Sequence, residues 1–174
     1  MEQSSKTLTF VVPAYNMETY LERCVESLLS ATDNSDIEVL IVDDGSSDGT
    51  PELADMYERR WPGNVRAIHQ VNKGHGGAVN TGIANATGMY VKVVDADDWV
   101  DMPSIDTLMG TLRVQRVATD PVDMIVTNYV YDKVGKRVKH TVNFRHAMAT
   151  NTVLGWDDLG CFGVAEYILM HALI

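Results

Sequence analysis

Apolar residues come in short runs that end abruptly in polar clusters. "LTFVVPAYN" is a β-branched run stopped by Pro13, and it predicts a buried strand. Behind it Tyr20, Leu21, Cys24, Val25, Leu28 and Leu29 recur at helical spacing and predict an amphipathic helix. "IEVLIVDDGSSDGT" repeats the plan, with an apolar run followed by a turn rich in Asp, Gly and Ser. Thr50 is placed as the N-cap of a second helix, with Pro51 at its first position. Leu53, Met56, Tyr57 and Trp61 would form that helix's apolar face. "VRAIHQ" predicts a third strand, and "GGAVNTGIANATG" a small-residue helix that Gly88 is placed to end. A fourth apolar run, "MYVKVVDADDW", closes in carboxylates, and Ile105, Leu108, Met109 and Leu112 then predict a further helix.

From Asp123 the pattern changes. "DMIVTNYVYD" and "RVKHTVNF" flank "KVGK" and read as a hairpin, and the last nine residues read as helical. The chain stops at Ile174 inside an apolar pattern with no C-cap signal, which suggests a truncated chain or a fragment. Strands alternating with helices indicate parallel βαβ units with both sheet faces covered. The expected organisation is one α/β half over residues 1–120 and the start of a second over 121–174. In such sheets ligands bind beyond the carboxyl ends of the strands. "PAYN", "VDDGSSDGT" and "DADDW" all fall at those ends.

The composition narrows the partners. With 174 residues, 45% of them hydrophobic, the chain can bury a core without disulfide staples. A net charge of −10 argues against nucleic acid, whose binders carry basic patches, and against electrostatic attachment to an anionic membrane. Cys24 and Cys161 lie far apart and read as core residues of a chain kept in a reducing cytosol. No apolar run approaches the roughly 20 residues that span a bilayer. "MEQSSKT" lacks the apolar core of a signal peptide, so the expected location is cytoplasmic.

Four carboxylates, Asp95, Asp97, Asp98 and Asp101, crowd into seven residues at a strand end. Like charges about 4 Å apart repel by roughly 1 kcal/mol in water and about 4 near a protein surface, and a bound cation would offset that cost. Mg²⁺ and Mn²⁺ favour such oxygens, commonly one or two protein carboxylates plus substrate phosphates. The plainer reading is a solvated acidic turn, with Asp101 or Ser104 capping the next helix. Asp43 and Asp44 could accept hydrogen bonds from a nucleobase N–H or from ribose hydroxyls, or they could simply serve a turn. "NKGHGGAVN" opens a helix with exposed N–H groups suited to phosphate, and Lys73 and His75 could approach a diphosphate. It matches neither a Walker A loop nor G-x-G-x-x-G. Tyr15 could stack on a base or merely pack, and Asn16 could cap the first helix. Asp157, Asp158 and Glu166 are late carboxylates able to serve as a base or as surface acids.

The order of "VVPAYN", "IVDDGSSDGT", "NKGHGGAVNTGI" and "DADDW" resembles family 2 of the GT-A glycosyltransferases, over roughly Thr7 to Asp101. The likeness is greatest to bacterial enzymes that build capsule, lipopolysaccharide or other cell-surface glycans. The resemblance implies a GT-A, Rossmann-like three-layer sandwich with a mainly parallel central sheet. It implies a nucleotide-diphospho-sugar donor, often UDP-linked, a divalent metal (Mn²⁺ or Mg²⁺), and inverting transfer to a glycan or lipid-linked acceptor. The full-length enzyme would be cytoplasmic, with peripheral association at the inner face of the membrane left open. Carried over by position, Pro13, Ala14 and Tyr15 line the base pocket with Asn16 beside them, and Asp44 bonds the uracil or ribose. Lys73, Gly74 and His75 face the donor. Asp95 and Ala96 contact ribose or sugar, and Asp97 reaches the metal with Asp98 as the alternative ligand. Two departures stand out. Many members have Ala-Arg-Asn where this chain has Ala78, Val79 and Asn80, which shifts diphosphate contacts toward Lys73 or His75. Members also place the catalytic Asp or Glu in the acceptor half, and no match precedes Ile174, so the base is expected beyond it.

Two other functions fit parts of the pattern. A nucleotide-sugar-binding module would bind donor and metal without turnover. A nucleotidyltransferase would need a basic, glycine-rich loop for a triphosphate, and "VVPAYNMETY" has none.

Overall fold

A computed structural model describes residues 6–132, 139–146, 148–155, 158 and 174. The chain divides into two compact units, Met1–Pro121 and Val122–Ile174. The first unit runs β1 (Leu8–Ala14), α1 (Leu21–Leu28), β2 (Ile37–Asp43), α2 (Thr50–Arg60), β3 (Val65–His69), α3 (Gly74–Asn85), β4 (Tyr90–Val93) and α4 (Met102–Arg116).

The four strands form one parallel sheet in the order β3-β2-β1-β4. Val11 of β1 lies opposite Leu40 of β2 and Val93 of β4, and every residue of β1 and β2 is buried. Continuous apolar runs are what a strand covered on both faces requires. Crossovers between parallel strands are right-handed. The steps β1 to β2 and β2 to β3 run one way and the step β3 to β4 runs back, so α1 and α2 cover one face and α3 the other. Val11, Val42 and Ala78 form the core beneath α3, with Ile68, Val91 and Val93 packed against them. The order in which strands are added to the sheet reverses between β1 and β4, and the carboxyl ends of those parallel strands flank the crevice such a switch opens.

Several local expectations are corrected. α2 begins one residue earlier than expected, at Thr50 rather than Pro51, with Gly49 and not Thr50 as N-cap. Thr50 is fully buried, its N–H donates to Asp48 Oδ1 (3.0 Å), and its hydroxyl accepts the Met17 N–H (2.8 Å). The buried face of α2 is Thr50, Ala54 and Tyr57, whereas Met56 is exposed. Asn16 does not cap α1, whose N-cap is Tyr20 with no side-chain bond. Gly88 does not end α3, which is capped at Ala86. A Cβ at Gly88 would lie 2.6 Å from the Thr9 nitrogen, so close approach to β1 excludes a side chain there. Asp101 does cap α4, accepting the Ser104 N–H (3.3 Å).

In the second unit β5 (Tyr129–Tyr131) pairs antiparallel with β6 (His140–Val142), Tyr129 opposite Val142 and Tyr131 opposite His140. A 3₁₀ turn spans Phe144–His146. Ile125 and Ile174 exchange backbone hydrogen bonds of 3.0 and 3.1 Å. The "KVGK" turn, Asp157, Cys161, Glu166 and most of the expected last helix lie outside the described residues. Among the described residues no helix is long and apolar enough to cross a membrane.

Candidate functional site

The loop after β1 is held by the loop after β2. Asn16 N–H donates to Ser46 Oγ (3.0 Å), and Asn16 Oδ1 accepts from Ser47 N–H (2.9 Å). Glu18 N–H donates to Asp48 Oδ2 (3.1 Å), and Gly49 N–H donates to Glu18 Oε2 (3.0 Å). Asn16 sits in the left-handed region at φ 54°, which asparagine tolerates better than most residues. This clasp presents Tyr15, half exposed, beside a cleft of about 330 Å³. Pro13, Ala14, Tyr15, Met17, Asp44, Asn72, Gly74, His75 and Ala78 line the cleft.

The adjacent carboxylates at the end of β2 serve different tasks. Asp43 is buried and accepts the Ser46 N–H (3.0 Å), while its other oxygen meets His69 Nδ1 (3.0 Å). His69 Nε2 reaches Asp55 (3.0 Å), and these two carboxylate bonds raise the imidazole above its ordinary value. Asp44 is 2% exposed and faces the cleft, with Oδ1 accepting from Gln70 Nε2 (2.6 Å) and Lys73 N–H (2.8 Å). Burial raises its carboxyl. The bonds from Gln70 and from the N–H groups of Lys73 and Gly74, with the Lys73 charge, outweigh that and hold it below the ordinary value. Gln70 in turn accepts from Thr81 Oγ1 (2.6 Å).

His75, in the first turn of α3, joins the cleft to the end of β4: its Nε2 lies 2.8 Å from Asp95 Oδ1. The Asp98 N–H closes a turn onto the Asp95 carbonyl (2.9 Å), Ala96 is buried, and Asp97 and Asp98 are exposed. Behind this turn the Cys24 Sγ donates to the same carbonyl (3.7 Å). Burial, then the charges of Asp98, Asp97 and Asp95, push the Cys24 thiol up to about 12. Burial brings the Lys92 ammonium down to about 8 against the opposing pull of Asp98. The negative field at the end of β4 thus reaches into the core. Arg23 stacks over the Trp99 ring at 3.3 Å, tying α1 to the segment that follows the carboxylates.

Of the residues singled out from the sequence, Pro13, Ala14, Tyr15, Asp44, Gly74 and His75 line one cleft, and Asp95 joins through His75. Lys73 contributes its backbone N–H to Asp44. Asn16 works in the clasp, and Ala96, Asp97 and Asp98 stand in the turn after β4. Met17, Asn72, Ala78, Gln70 and Thr81 were not singled out as site residues. Asn72 and Ala78 lay within the singled-out stretch "NKGHGGAVN", and Gln70 carried a weaker signal as the polar residue closing "VRAIHQ" at a strand end. Among the described residues no three His, Cys, Asp or Glu side chains converge into a ready-made cation site. One or two exposed carboxylates at the β4 end still suit a hard cation that takes its remaining oxygens from a substrate. Asp158 accepts the Gly155 N–H (2.9 Å) within its own turn.

Comparison with known proteins bears on the fold and the family. GlyG of Streptococcus pneumoniae is 40% identical over 131 residues, covering 74% of this chain and 41% of that protein. Chondroitin synthase of Escherichia coli is 38% identical over 106 residues, covering 61% of this chain and 15% of that protein. S. aureus TarS in complex with UDP-GlcNAc superposes with a TM-score of 0.57 at 26% identity, over 63% of this chain and 32% of that chain. The mannosyltransferase PcManGT from Pyrobaculum calidifontis, in complex with GDP-Man and Mn²⁺, gives 0.55 at 27% identity, over 70% of this chain and 34% of that chain. The chain spans 36%, 26% and 41% of three of the curated relatives it matches. The parallel sheet and its flanking helices are the GT-A fold expected from the sequence. A family model described as "Glycosyl transferase family 2" matches residues 9–166, and the chain belongs to that family.

Proposed function

We propose that the cleft holds the nucleotide of a UDP-linked sugar, and that the protein transfers the sugar, with inversion, to a hydroxyl of a glycan or lipid-linked acceptor. The observation that carries this reading is buried Asp44, a carboxylate held ionised by Gln70 and the Lys73 N–H at the wall of a cleft beside Asp95. A charged acceptor in a desolvated wall suits an N–H of a base. Tyr15, half exposed on a clasped loop, is placed to stack on that base. His75 stands where a diphosphate would follow, taking the part of the absent arginine, and Asp95 accepts from a ribose or sugar hydroxyl.

Asp97, with Asp98 as alternative, would hold a divalent cation, Mn²⁺ or Mg²⁺, whose chemistry is to neutralise charge on the departing diphosphate. The Mn²⁺ in the PcManGT complex and the UDP-GlcNAc in the TarS complex support cation and donor class. No base is assigned among the described residues. The acceptor hydroxyl must lose its proton as it attacks the anomeric carbon, and that task belongs to a carboxylate.

Calorimetric titration of UDP and GDP, with and without Mn²⁺, tests the reading on this chain and on Asp97→Asn. The expected result is Mn²⁺-dependent UDP binding that the substitution abolishes. Binding of neither nucleotide would overturn the assignment. Donor binding by a chain as long as the curated relatives, with no transfer or donor hydrolysis, would instead show a binding module.

A further inference from the structure

Asp44 does not stand alone. Thr81 Oγ1 donates to Gln70 Oε1 (2.6 Å), and Gln70 Nε2 donates to Asp44 Oδ1 (2.6 Å). The polarity of this chain is forced. An ionised carboxylate only accepts, so Gln70 must turn its NH₂ to Asp44 and its carbonyl to Thr81, and the Thr81 hydroxyl must then donate. The three groups come from three elements: the end of β2, the residue after β3, and the middle of α3. The Lys73 N–H (2.8 Å) takes the second lone pair of the same Asp44 oxygen. A carboxylate oxygen has two acceptor sites, so Gln70 and the Lys73 N–H fill Oδ1; with the Gly74 N–H also bonded to this carboxylate, recognition falls to the acceptor site that remains on Oδ2.

We infer that Gln70 and Thr81 are positioning residues that select uracil at Asp44, by filling one carboxylate oxygen and aiming the other at a single N–H donor. This rests on the reading of the cleft as a nucleotide site. Uracil offers one imide N–H between two carbonyls, which a single oxygen satisfies. Guanine presents two adjacent N–H donors that call for both oxygens. Cytosine carries a lone pair at the corresponding ring nitrogen, which the carboxylate repels. A site built to accept a hydrogen bond rejects the analogue that lacks the donor far more strongly than it rejects a change in size. Without Gln70 the carboxylate regains rotational freedom and a free lone pair, and the rejection weakens.

The test measures UDP and CDP dissociation constants in the presence of Mn²⁺, with melting temperature, for the parent chain and four variants. These are Gln70→Met, Thr81→Val, Thr81→Ser and the Gln70→Met/Thr81→Val pair. Gln70→Met should weaken UDP about tenfold and reduce the UDP-over-CDP preference by about the same factor. Thr81→Val should lose about threefold, and Thr81→Ser, which keeps the hydroxyl, should recover it. The double variant should lose no more than Gln70→Met, because a relay broken at Gln70 has nothing left to lose at Thr81. An unchanged UDP-over-CDP ratio in both Gln70→Met and Thr81→Val, even with a lowered melting temperature, would make the pair structural and overturn the inference while leaving the cleft assignment intact. A parent chain that binds no UDP overturns both.

Discussion

Gly82 lies on the face of α3 that meets the sheet, and replacing it with alanine probes how closely that helix must approach. A Cβ there would sit 2.1 Å from Val11 Cγ1 and 3.0 Å from Cγ2. Carbon atoms rest at about 3.5–4 Å, so helix or strand must yield by roughly 1.5 Å. Val11 cannot turn away: it is wholly buried, stiff at χ1, and fixed between Leu40 and Val93. Overpacking of this kind costs about 3 kcal/mol, at the upper end of its usual range. Alanine in a helix interior returns about 1 kcal/mol over glycine, leaving a net loss of about 2 kcal/mol. For a chain of this size that corresponds to a fall in Tm of about 4–8 °C. Gly110, exposed in the middle of α4 with open space around it, is the internal control. There the same substitution should gain about 1 kcal/mol and raise Tm by about 2–4 °C. Calorimetry or urea unfolding of both variants decides the matter. If Gly82→Ala is as stable as the parent, or more so, contact between α3 and β1 does not govern the position of that helix.

Other consequences can be checked directly. Asp44→Asn keeps an oxygen for Gln70 and Lys73 but loses the charge, and should weaken UDP binding by about tenfold or more in calorimetry. His69 is raised above 6.5 by Asp43 and Asp55, so its contribution to stability is complete below about 6.5 and is lost as pH rises through the higher folded value. Melting curves across that window should show the decline in the parent and a smaller one in His69→Gln. Cys24 is buried and its thiol pushed up to about 12, so peptide mapping after iodoacetamide treatment of the native protein at pH 8 should find Cys24 unmodified. After denaturation the same peptide should be alkylated within minutes.

The elements were legible where chain-local chemistry decides them. Leu8 to Ala14 and Ile37 to Asp43 are buried on both faces and so had to be continuous apolar runs, and Asp101 caps a helix from within its own turn. Features set by distant partners were not legible. Gly88 looked like a helix terminator because it follows small residues, yet its constraint is the Thr9 backbone, 79 positions earlier. Asn16 looked like a cap because it precedes a helix, yet its amide serves Ser47, 31 positions away. Gln70 and Thr81 are ordinary polar residues until folding puts both in line with Asp44. The carboxylates after β4 were visible as a cluster, but their spacing alone could not distinguish a cation site from an acidic turn. The link between Asp95 and His75 required the fold.

The clasp between the loops after β1 and β2 has a kinetic meaning. Since Asn16, Met17 and Glu18 are already bonded to Ser46, Ser47, Thr50 and Asp48, the nucleotide proposed for the cleft would meet a wall that needs no ordering step. Association is then governed by encounter. Encounter is opposed by the chain's own charge of −10, which repels an anionic nucleotide. Added salt should therefore quicken capture where it usually slows charged ligands, and a donor already paired with its cation should arrive faster than a bare one.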